Sequence, residues 1–267
     1  MTCDKVIDSA ATAVADIRSG SSLAVGGFGL AGIPWFLIEA VLDQGADDLT
    51  IVSNNCGVDG AGLGLLLEAR RISRVIASYV GDNKEFARQY LAGELTVELT
   101  PQGTLAERLR AGGSGIGAFF TPTGVGTLVA DGGLPWRYHA DGTVAVASPP
   151  KEVRTFGGRE MLLEESIVTD FALVRAAVAD RAGNCVFHAA ARNFNPPAAM
   201  AGRVTVVEAE RVVEVGEIHP DEVHLPGVFV QRVVELSPQQ AVRKGIEKRT
   251  TRPRIPHRDK ATQEALT

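Results

Sequence analysis

The chain has 267 residues, of which 45% are hydrophobic and 22% are charged, and its mean hydropathy is +0.07. This composition is typical of a folded globular protein and excludes a disordered chain, while the net charge of −5 does not indicate a nucleic-acid partner. No window approaches the roughly 18 apolar residues of a membrane span, and the N-terminus lacks a signal-peptide pattern, so we expect a cytoplasmic protein.

Helical and extended patterns alternate along the first half of the chain. Apolar residues at three- and four-residue steps predict an opening helix within 4–17, and Pro34 stands where a second helix would begin. Between them, Ser22–Val25 is predicted to be a short buried strand that ends in a glycine cluster. The same unit then recurs, with predicted strands at Leu49–Ser53, Arg74–Ser78, Thr96–Leu99 and Ala118–Thr121 and predicted helices at Leu63–Ala69, Asn83–Ala92 and Leu105–Arg110.

This alternation predicts an α/β protein with a mostly parallel sheet flanked by helices. A ligand site is then expected outside the carboxyl ends of the strands. Residues 122–165 are rich in Gly and Pro and predict an irregular β-rich insertion, after which Phe171–Val178, Val204–Glu208 and Val228–Val233 are the clearest strands. We expect one domain at residues 1–249.

The end of the chain differs in charge from the rest. Residues 241–267 hold eight Lys or Arg against three Asp or Glu, and the apolar pattern fades after about Pro238. We expect residues 250–267 to be a basic, poorly ordered tail, although the same charges could bind an acidic partner surface.

A glycine-rich segment, Gly26 to Pro34, follows the first predicted strand. Its G-x-G-x-x-G spacing matches a dinucleotide-binding motif, but that motif also requires an acidic residue about 20 positions later, at the end of the next strand. That strand ends in Asn54 and Asn55 instead. Glycines also let the backbone approach a ligand and present N–H groups at a helix N-terminus. We therefore favour a loop that binds a carboxylate or an oxyanion.

Metal and serine-hydrolase chemistry are not indicated. His219 and His224 lie five residues apart beside prolines and lack a third ligand, so no metal site is predicted. The cysteines Cys3, Cys56 and Cys185 show no C-x-x-C spacing and are predicted to be free thiols. No Ser lies in a G-x-S-x-G motif.

Several long blocks of the sequence resemble the α subunits of family I coenzyme A transferases. These blocks are GGFGLAGIP (26–34), VSNNCGVDGAGLGLLL (52–67), the long run 78–113, FFTPTGVGTLVADG (119–132) and DFALVRAAVADRAGN (170–184). The resemblance covers about residues 4–235 and implies a CoA-transferase-like fold.

The resemblance implies an enzyme subunit that moves CoA from succinyl-CoA to a 3-oxo acid such as acetoacetate, within ketone body metabolism. The reaction passes through a glutamyl-CoA thioester, and in two-chain members the nucleophilic glutamate belongs to a partner β subunit. The implied partners are that β subunit, in a hetero-oligomer, and the acyl-CoA and carboxylic acid substrates. No separate cofactor is expected, because the CoA thioester is itself a substrate.

The resemblance places substrate-binding residues at strand ends and no catalytic residue in this chain. The expected substrate-binding residues are Gly26, Gly27, Phe28, Gly29, Asn54, Asn55 and Gln102. Side-chain amides can orient a carbonyl without a charge that would quench the nucleophile. Without the resemblance, Asn54 and Asn55 would be interpreted as a strand-ending turn. The chain departs from the family at Trp35, where an acidic residue is common and would favour the helix dipole.

Two other functions stay open. A 3-oxoadipate CoA-transferase subunit would share the fold, the glycine loop and the glutamate chemistry, and would differ mainly in the acid that it selects. A non-catalytic metabolite-binding module would have the same architecture but no catalytic partner.

Overall fold

Fifteen strands and eight helices lie within residues 4–244, the part of the chain that this computed structural model describes. The strands are β1 (Ser22–Val25), β2 (Leu49–Val52), β3 (Ile72–Ala77), β4 (Thr96–Leu99), β5 (Ala118–Thr121), β6 (Pro135–Tyr138), β7 (Val144–Ala147), β8 (Val153–Phe156), β9 (Arg159–Glu165), β10 (Thr169–Ala176), β11 (Val178–Asp180), β12 (Cys185–Val186), β13 (Gly202–Ala209), β14 (Val212–Val213) and β15 (Arg232–Glu235). The helices are α1 (Ala10–Val14), α2 (Trp35–Gln44), α3 (Gly64–Glu68), α4 (Lys84–Leu91), α5 (Gln102–Gly113), α6 (Leu128–Asp131), α7 (Asn195–Ala201) and α8 (Pro238–Ala241).

Seven parallel strands form the central sheet, in the order β15-β13-β10-β1-β2-β3-β4. The chain begins in the middle at β1, extends to one edge through β4, and later returns to β10 on the other side of β1. The carboxyl ends of these strands therefore share one edge, and the strand order reverses between β1 and β10. Open α/β sheets bind ligands at such a reversal. The predicted mostly parallel sheet with flanking helices is confirmed.

Helices cover both faces of the sheet because the strands carry apolar side chains on both faces. In β1, Leu23 and Val25 belong to one core, whereas Ala24 belongs to the other. The first core is filled by α1 to α4, with Leu37 and Phe86 among its largest buried side chains. The second core is filled by α5 and α7.

Residues 118–165 form a cap of antiparallel strands outside the main sheet. Strands β5, β9 and β8 make one antiparallel sheet, and β6 and β7 make a hairpin. The expectation for Ala118–Thr121 was wrong in one respect: the bounds match β5, but this strand pairs antiparallel with β9 instead of joining the parallel sheet. Helix α5 before this strand has twelve residues, enough for a parallel crossover, so the distant β9 and not the local connection decides the pairing.

Other local differences concern element ends and one helix. The predicted opening helix contracts to α1, and Val228–Val233 begins as a 3₁₀ turn before the strand starts at Arg232. Helix α7 was not predicted, although its two prolines lie in the first helical turn, where Pro is favourable. No helix of residues 4–244 is both long and apolar enough to cross a bilayer. The predicted boundary at residue 249 and the tail 250–267 lie outside the described residues.

Candidate functional site

Neighbouring strand ends bring polar residues to one edge of the sheet. Strand β2 is followed by Ser53, Asn54 and Asn55, and β3 is followed by Ser78. Strand β4 leads through a short turn to Gln102, the first residue of α5. The glycine loop after β1 lies beside them, because β1 and β2 are adjacent in the sheet.

These strand ends enclose a cavity of about 370 Å³, which we call the amide cavity. It is lined by Phe28, Gly29, Asn54, Asn55, Val58, Ser78, Tyr79, Gly81, Asp82 and Gln102. Five of the seven predicted substrate-binding residues therefore lie together, whereas Gly26 and Gly27 lie outside the lining. None of these ten lining residues is Glu, Lys, Arg or His. The volume is at the small end of ligand pockets, which is compatible with a small acid.

The side-chain amides of the cavity are hydrogen-bonded to one another. Gln102 Nε2 donates to Asn54 Oδ1 over 2.8 Å, and Asn54 Nδ2 donates to Asn55 Oδ1 over 3.1 Å. Gly29 N–H donates to the same Asn55 oxygen over 2.9 Å, and Ser78 Oγ lies 2.9 Å from Asn54 Oδ1. Asn54 and Asn55 are only 2% and 6% exposed. The exposed Gln102 is therefore the amide best placed to meet a ligand.

Close contacts explain the two glycines that do not line the cavity. A Cβ at Gly26 would lie 2.0 Å from Asn195 Oδ1. A Cβ at Gly27, where φ is +112°, would lie 2.4 Å from Ile33 Cγ2. Any other residue would displace the loop, because Asn195 is fully buried and the φ of Gly27 is unfavourable for side chains. Close contacts with Asn195 and Ile33 therefore fix the backbone of the loop at Gly26 and Gly27. The next residue, Phe28, lines the cavity and is 47% exposed.

The side-chain amides and the Ser78 hydroxyl supply neutral hydrogen-bonding groups to the cavity, and Asp82 is the one carboxylate among its ten lining residues. Cys56, next to Asn55, is fully buried, and burial raises the pKa of its thiol well above the usual value. It therefore stays protonated and is a poor nucleophile. Within residues 4–244, no group of three or more His, Cys, Asp or Glu is arranged to hold a metal ion.

The N-terminus of helix α2, which follows the glycine loop, is hydrogen-bonded to a carboxylate on a strand that is distant in sequence. Glu208 of β13 accepts the N–H groups of Phe36 and Leu37 over 2.9 and 3.0 Å. This fully buried carboxylate pairs with Arg175 over 3.4 Å. It accepts N–H groups at the helix N-terminus, where the Trp35 side chain offers no carboxylate. Burial raises the pKa of Glu208 to about 7, although Arg175 and the backbone N–H groups oppose this rise.

Trp35 itself is buried and does not line the amide cavity. The guanidinium group of Arg243 lies 5.0 Å from the centre of its ring and forms an ion pair with Glu39 over 2.7 Å. The departure from the family at Trp35 therefore creates a contact with the C-terminal segment of the described chain.

Five lining residues were not predicted: Val58, Ser78, Tyr79, Gly81 and Asp82. Four of them follow β3 directly, in a segment whose strand end was predicted at Ser78. Ligand sites lie beyond the carboxyl ends of parallel strands, and this rule was the signal that could have identified them.

The family model described as Coenzyme A transferase matches residues 7–236. The chain belongs to the coenzyme A transferase family. Among the relatives of this CoA transferase chain is a protein of Mycobacterium tuberculosis (strain ATCC 25618 / H37Rv), whose name describes it as the probable A subunit of a succinyl-CoA:3-ketoacid coenzyme A transferase. The two are 66% identical over 249 residues, which are 93% of this chain and 99% of the relative.

Two longer proteins also resemble this CoA transferase chain. Human "Succinyl-CoA:3-ketoacid coenzyme A transferase 2, mitochondrial" is 55% identical over 222 residues, which cover 83% of this chain and 43% of the human protein. An acyl-CoA transferase from Escherichia coli O157:H7, solved as a thioester complex with CoA, has a TM-score of 0.74 at 22% identity and covers 90% of this chain and 48% of that one. The chain spans less than half the length of both, and the likeness to the solved structure supports the fold alone.

Proposed function

We propose that this chain is the A, or α, subunit of a succinyl-CoA:3-ketoacid CoA transferase. Its 66% sequence identity to the Mycobacterium tuberculosis relative over 93% of the chain carries the proposal, and the side-chain amides that line the amide cavity support it. The enzyme moves CoA from succinyl-CoA to a 3-oxo acid such as acetoacetate, in ketone body metabolism. A cytoplasmic location and the lack of a separate cofactor stay predictions.

The nucleophilic glutamate is proposed to lie on a partner β subunit. The lining of the amide cavity contains no Glu. Glu39 pairs with Arg243 over 2.7 Å, and Glu68 accepts the N–H of Gly60 over 2.6 Å, so both are engaged elsewhere. This chain matches 43% of the human relative, so more than half of that longer protein lies outside the match. We therefore infer a hetero-oligomer in which each type of subunit contributes part of the site.

The proposed reaction is a series of acyl transfers. The glutamate carboxylate attacks the thioester carbonyl of succinyl-CoA, forms an anhydride and releases the CoA thiolate. The thiolate then attacks the glutamyl carbonyl, which releases succinate and leaves the glutamyl-CoA thioester. The 3-oxo acid passes through the same steps in reverse. Each attack puts negative charge on a carbonyl oxygen, and the role of Gln102 is to donate an N–H to that oxygen.

Expression of the chain with and without a β subunit tests this division. The isolated chain should show no CoA exchange because it lacks the nucleophile, whereas the pair should exchange CoA between succinyl-CoA and acetoacetate. Supplying 3-oxoadipate as the acceptor distinguishes the alternative transferase. Robust exchange by the isolated chain would contradict the proposal.

Trapping the covalent intermediate locates the nucleophile. The pair is incubated with succinyl-CoA, treated with a reducing or nucleophilic reagent, and mapped by peptide mass spectrometry. One β-chain glutamate should be modified. A stable adduct on Glu39, Glu68 or another glutamate of this chain would show that the nucleophile lies here and not on the partner.

A further inference from the structure

Two backbone groups determine the orientation of the Asn55 amide. Gly29 N–H can only donate, so the Asn55 side-chain atom 2.9 Å away must be the oxygen. Gly57 C=O can only accept, so the Asn55 atom 3.3 Å from it must be the nitrogen. Both contacts require the same orientation of this amide.

The orientation of Asn55 determines those of Asn54 and Gln102. Because Asn55 Oδ1 accepts a hydrogen bond from Asn54 over 3.1 Å, the Asn54 atom in that contact is Nδ2. The Asn54 oxygen therefore faces the other way and accepts from Gln102 Nε2 over 2.8 Å. Through Asn55 and Asn54, the glycine loop therefore determines that the nitrogen of the Gln102 amide, and not its oxygen, contacts Asn54. Because this nitrogen carries two hydrogens, one N–H of Gln102 stays available to a ligand.

Ser78 is the second donor to Asn54 Oδ1. The Ser78 hydroxyl lies 2.9 Å from that oxygen and 3.1 Å from the backbone oxygen of Asn54, and neither oxygen can donate. The single hydroxyl proton of Ser78 is therefore directed at Asn54. The N–H of Ser78 also donates to the Asn54 backbone oxygen over 3.0 Å, which fixes the two residues against each other.

We propose that Ser78 is a positioning residue for acyl transfer, which holds the Asn54 oxygen toward Gln102 so that Gln102 presents its free N–H to the oxyanion. This inference rests on the proposed function. Without the Ser78 hydroxyl, Asn54 Oδ1 keeps only one of its two donors. Asn54 Nδ2 stays bound to Asn55, but the Asn54 oxygen is then held less firmly toward Gln102, so the free N–H of Gln102 is less well aligned with the reacting carbonyl.

Steady-state kinetics of the assembled enzyme test the role of Ser78. Ser78→Ala should lower kcat roughly tenfold with little change in the KM of the acids, because a misaligned donor weakens transition-state stabilisation. Ser78→Thr keeps a hydroxyl and should recover kcat to within about threefold. Ser148→Ala is the matched control, since it removes a buried hydroxyl of the cap that accepts from Leu134 N–H, and it should leave kcat unchanged.

A double-mutant cycle separates positioning from direct contact with substrate. If Ser78 acts through Asn54, Ser78→Ala should cause no further loss in an Asn54→Ala background. An additive loss, or a kcat of Ser78→Ala equal to that of the unmodified pair, would overturn the inference. An unmodified pair without CoA exchange would instead overturn the proposed function, so the two failures are distinguishable.

Asn54→Asp supplies a pH signature that lost stability would not produce. Asp puts an oxygen where Asn54 Nδ2 donates to Asn55, so the ionised form is repelled and only the protonated form can donate. The rate of this variant should fall as pH rises through the pKa of the new carboxyl, whereas Asn54→Ala should keep the unmodified profile. The titratable lining residues Tyr79 and Asp82 are common to all these proteins. If the rate of Asn54→Asp depends on pH in the same way as the rate of the unmodified enzyme, the assigned amide orientation is wrong.

Discussion

Two cavities of similar volume differ in the charge of their linings. The amide cavity, of about 370 Å³, lies beyond the carboxyl ends of the first strands, and Asp82 is the only carboxylate among its ten lining residues. The second, of about 330 Å³, lies between the main sheet and the cap, and we call it the charged cavity. It is lined by Arg74, Glu98, Arg108, Trp136, Pro149, Pro150, Lys151, Glu152, Leu163, Glu164 and Glu165.

The charges of the charged cavity are paired with one another. The two oxygens of Glu98 each lie 2.7 Å from a guanidinium nitrogen, one of Arg108 and one of Arg74. Glu164 pairs with Lys151 over 2.5 Å. Although burial opposes the shift, Arg108 and Arg74 hold the pKa of Glu98 below its usual value. Arg108 also donates to the backbone oxygen of Glu165 in the cap over 2.7 Å, so this cluster connects the cap to the main sheet and we expect it to contribute to stability.

The separation of neutral from charged groups has a chemical reason. A Lys or Arg in the amide cavity would bind the substrate carboxylate strongly before any reaction. Interactions that are equally strong with substrate and transition state do not accelerate the chemical step. Neutral amides bind a ground-state carboxylate less strongly and can still donate to a developing oxyanion. We therefore expect substitutions to affect stability at the charged cavity and rate at the amide cavity.

The largest expected effect on stability is that of Arg108→Ala. This change removes one of the two guanidinium partners of Glu98 and a hydrogen bond to the backbone oxygen of Glu165. Breaking a buried ion pair costs about 3–5 kcal/mol, and because Arg74 stays paired with Glu98 we expect a loss at the lower end, about 3 kcal/mol. The free energy of unfolding, measured by urea titration, should fall by that amount, while kcat of the assembled enzyme should be retained. Arg110→Ala on the same helix removes an exposed pair with Glu107 and should cost at most about 1 kcal/mol. A fall in kcat without destabilisation would assign Arg108 to the reaction.

The converse change is Gln102→Ala at the amide cavity. The loss of an oriented donor should lower kcat/KM by roughly ten- to a thousandfold, which corresponds to about 1.4–4 kcal/mol of transition-state stabilisation. Because Gln102 is exposed, unfolding should change little. Gln44→Ala is the matched control, since the Gln44 amide donates only to backbone oxygens away from the cavity. An unchanged kcat/KM for Gln102→Ala would leave Gln102 as the first residue of α5 without a role in the reaction.

Local patterns predicted most strands but not how they pair. The bounds of β1, β4 and β5 were predicted fully, because short apolar runs between turn residues are local signals. The pairing of β5 was wrong, since its own residues resemble those of a parallel strand and only the distant β9 decides its place. Helix α7 was missed because it has only seven residues, two of them prolines, and so carries little helical periodicity.

The candidate site was predicted in the same partial way. Asn54, Asn55 and Gln102 were inferred from strand ends and the resemblance, and they lie in one hydrogen-bonded network. Ser78 was placed at a strand end, but its hydroxyl bond to Asn54 depends on the pairing geometry of β2 and β3. The contact of Glu208 with α2 joins residues 171 positions apart in sequence, and no local pattern indicates it.

Glu208 lies outside the amide cavity, and its titration should make the stability of the protein depend on pH. Its pKa is raised in the folded protein to about 7, against an ordinary value of 4.5, first because it is fully buried. Between these values the folded state binds more protons than the unfolded state. The contribution of Glu208 to stability is therefore full below about pH 4.5 and is lost as pH rises through about 7.

Glu208→Gln removes this titration and keeps an oxygen that can accept the N–H groups of α2. The measured quantity is the unfolding free energy of the unmodified chain minus that of the variant, and it should fall as pH rises from about 5 to 8. The full change is about 1.4 kcal/mol for each unit by which the pKa of Glu208 differs between the folded and the unfolded state. Urea titrations across this range measure it. Glu107→Gln is the control: its hydrogen bond with Arg110 lowers the pKa of Glu107, so that difference should stay constant above pH 5. A difference that is constant or rises with pH for Glu208→Gln would show that Arg175 and the helix N-terminus keep this buried carboxylate ionised throughout.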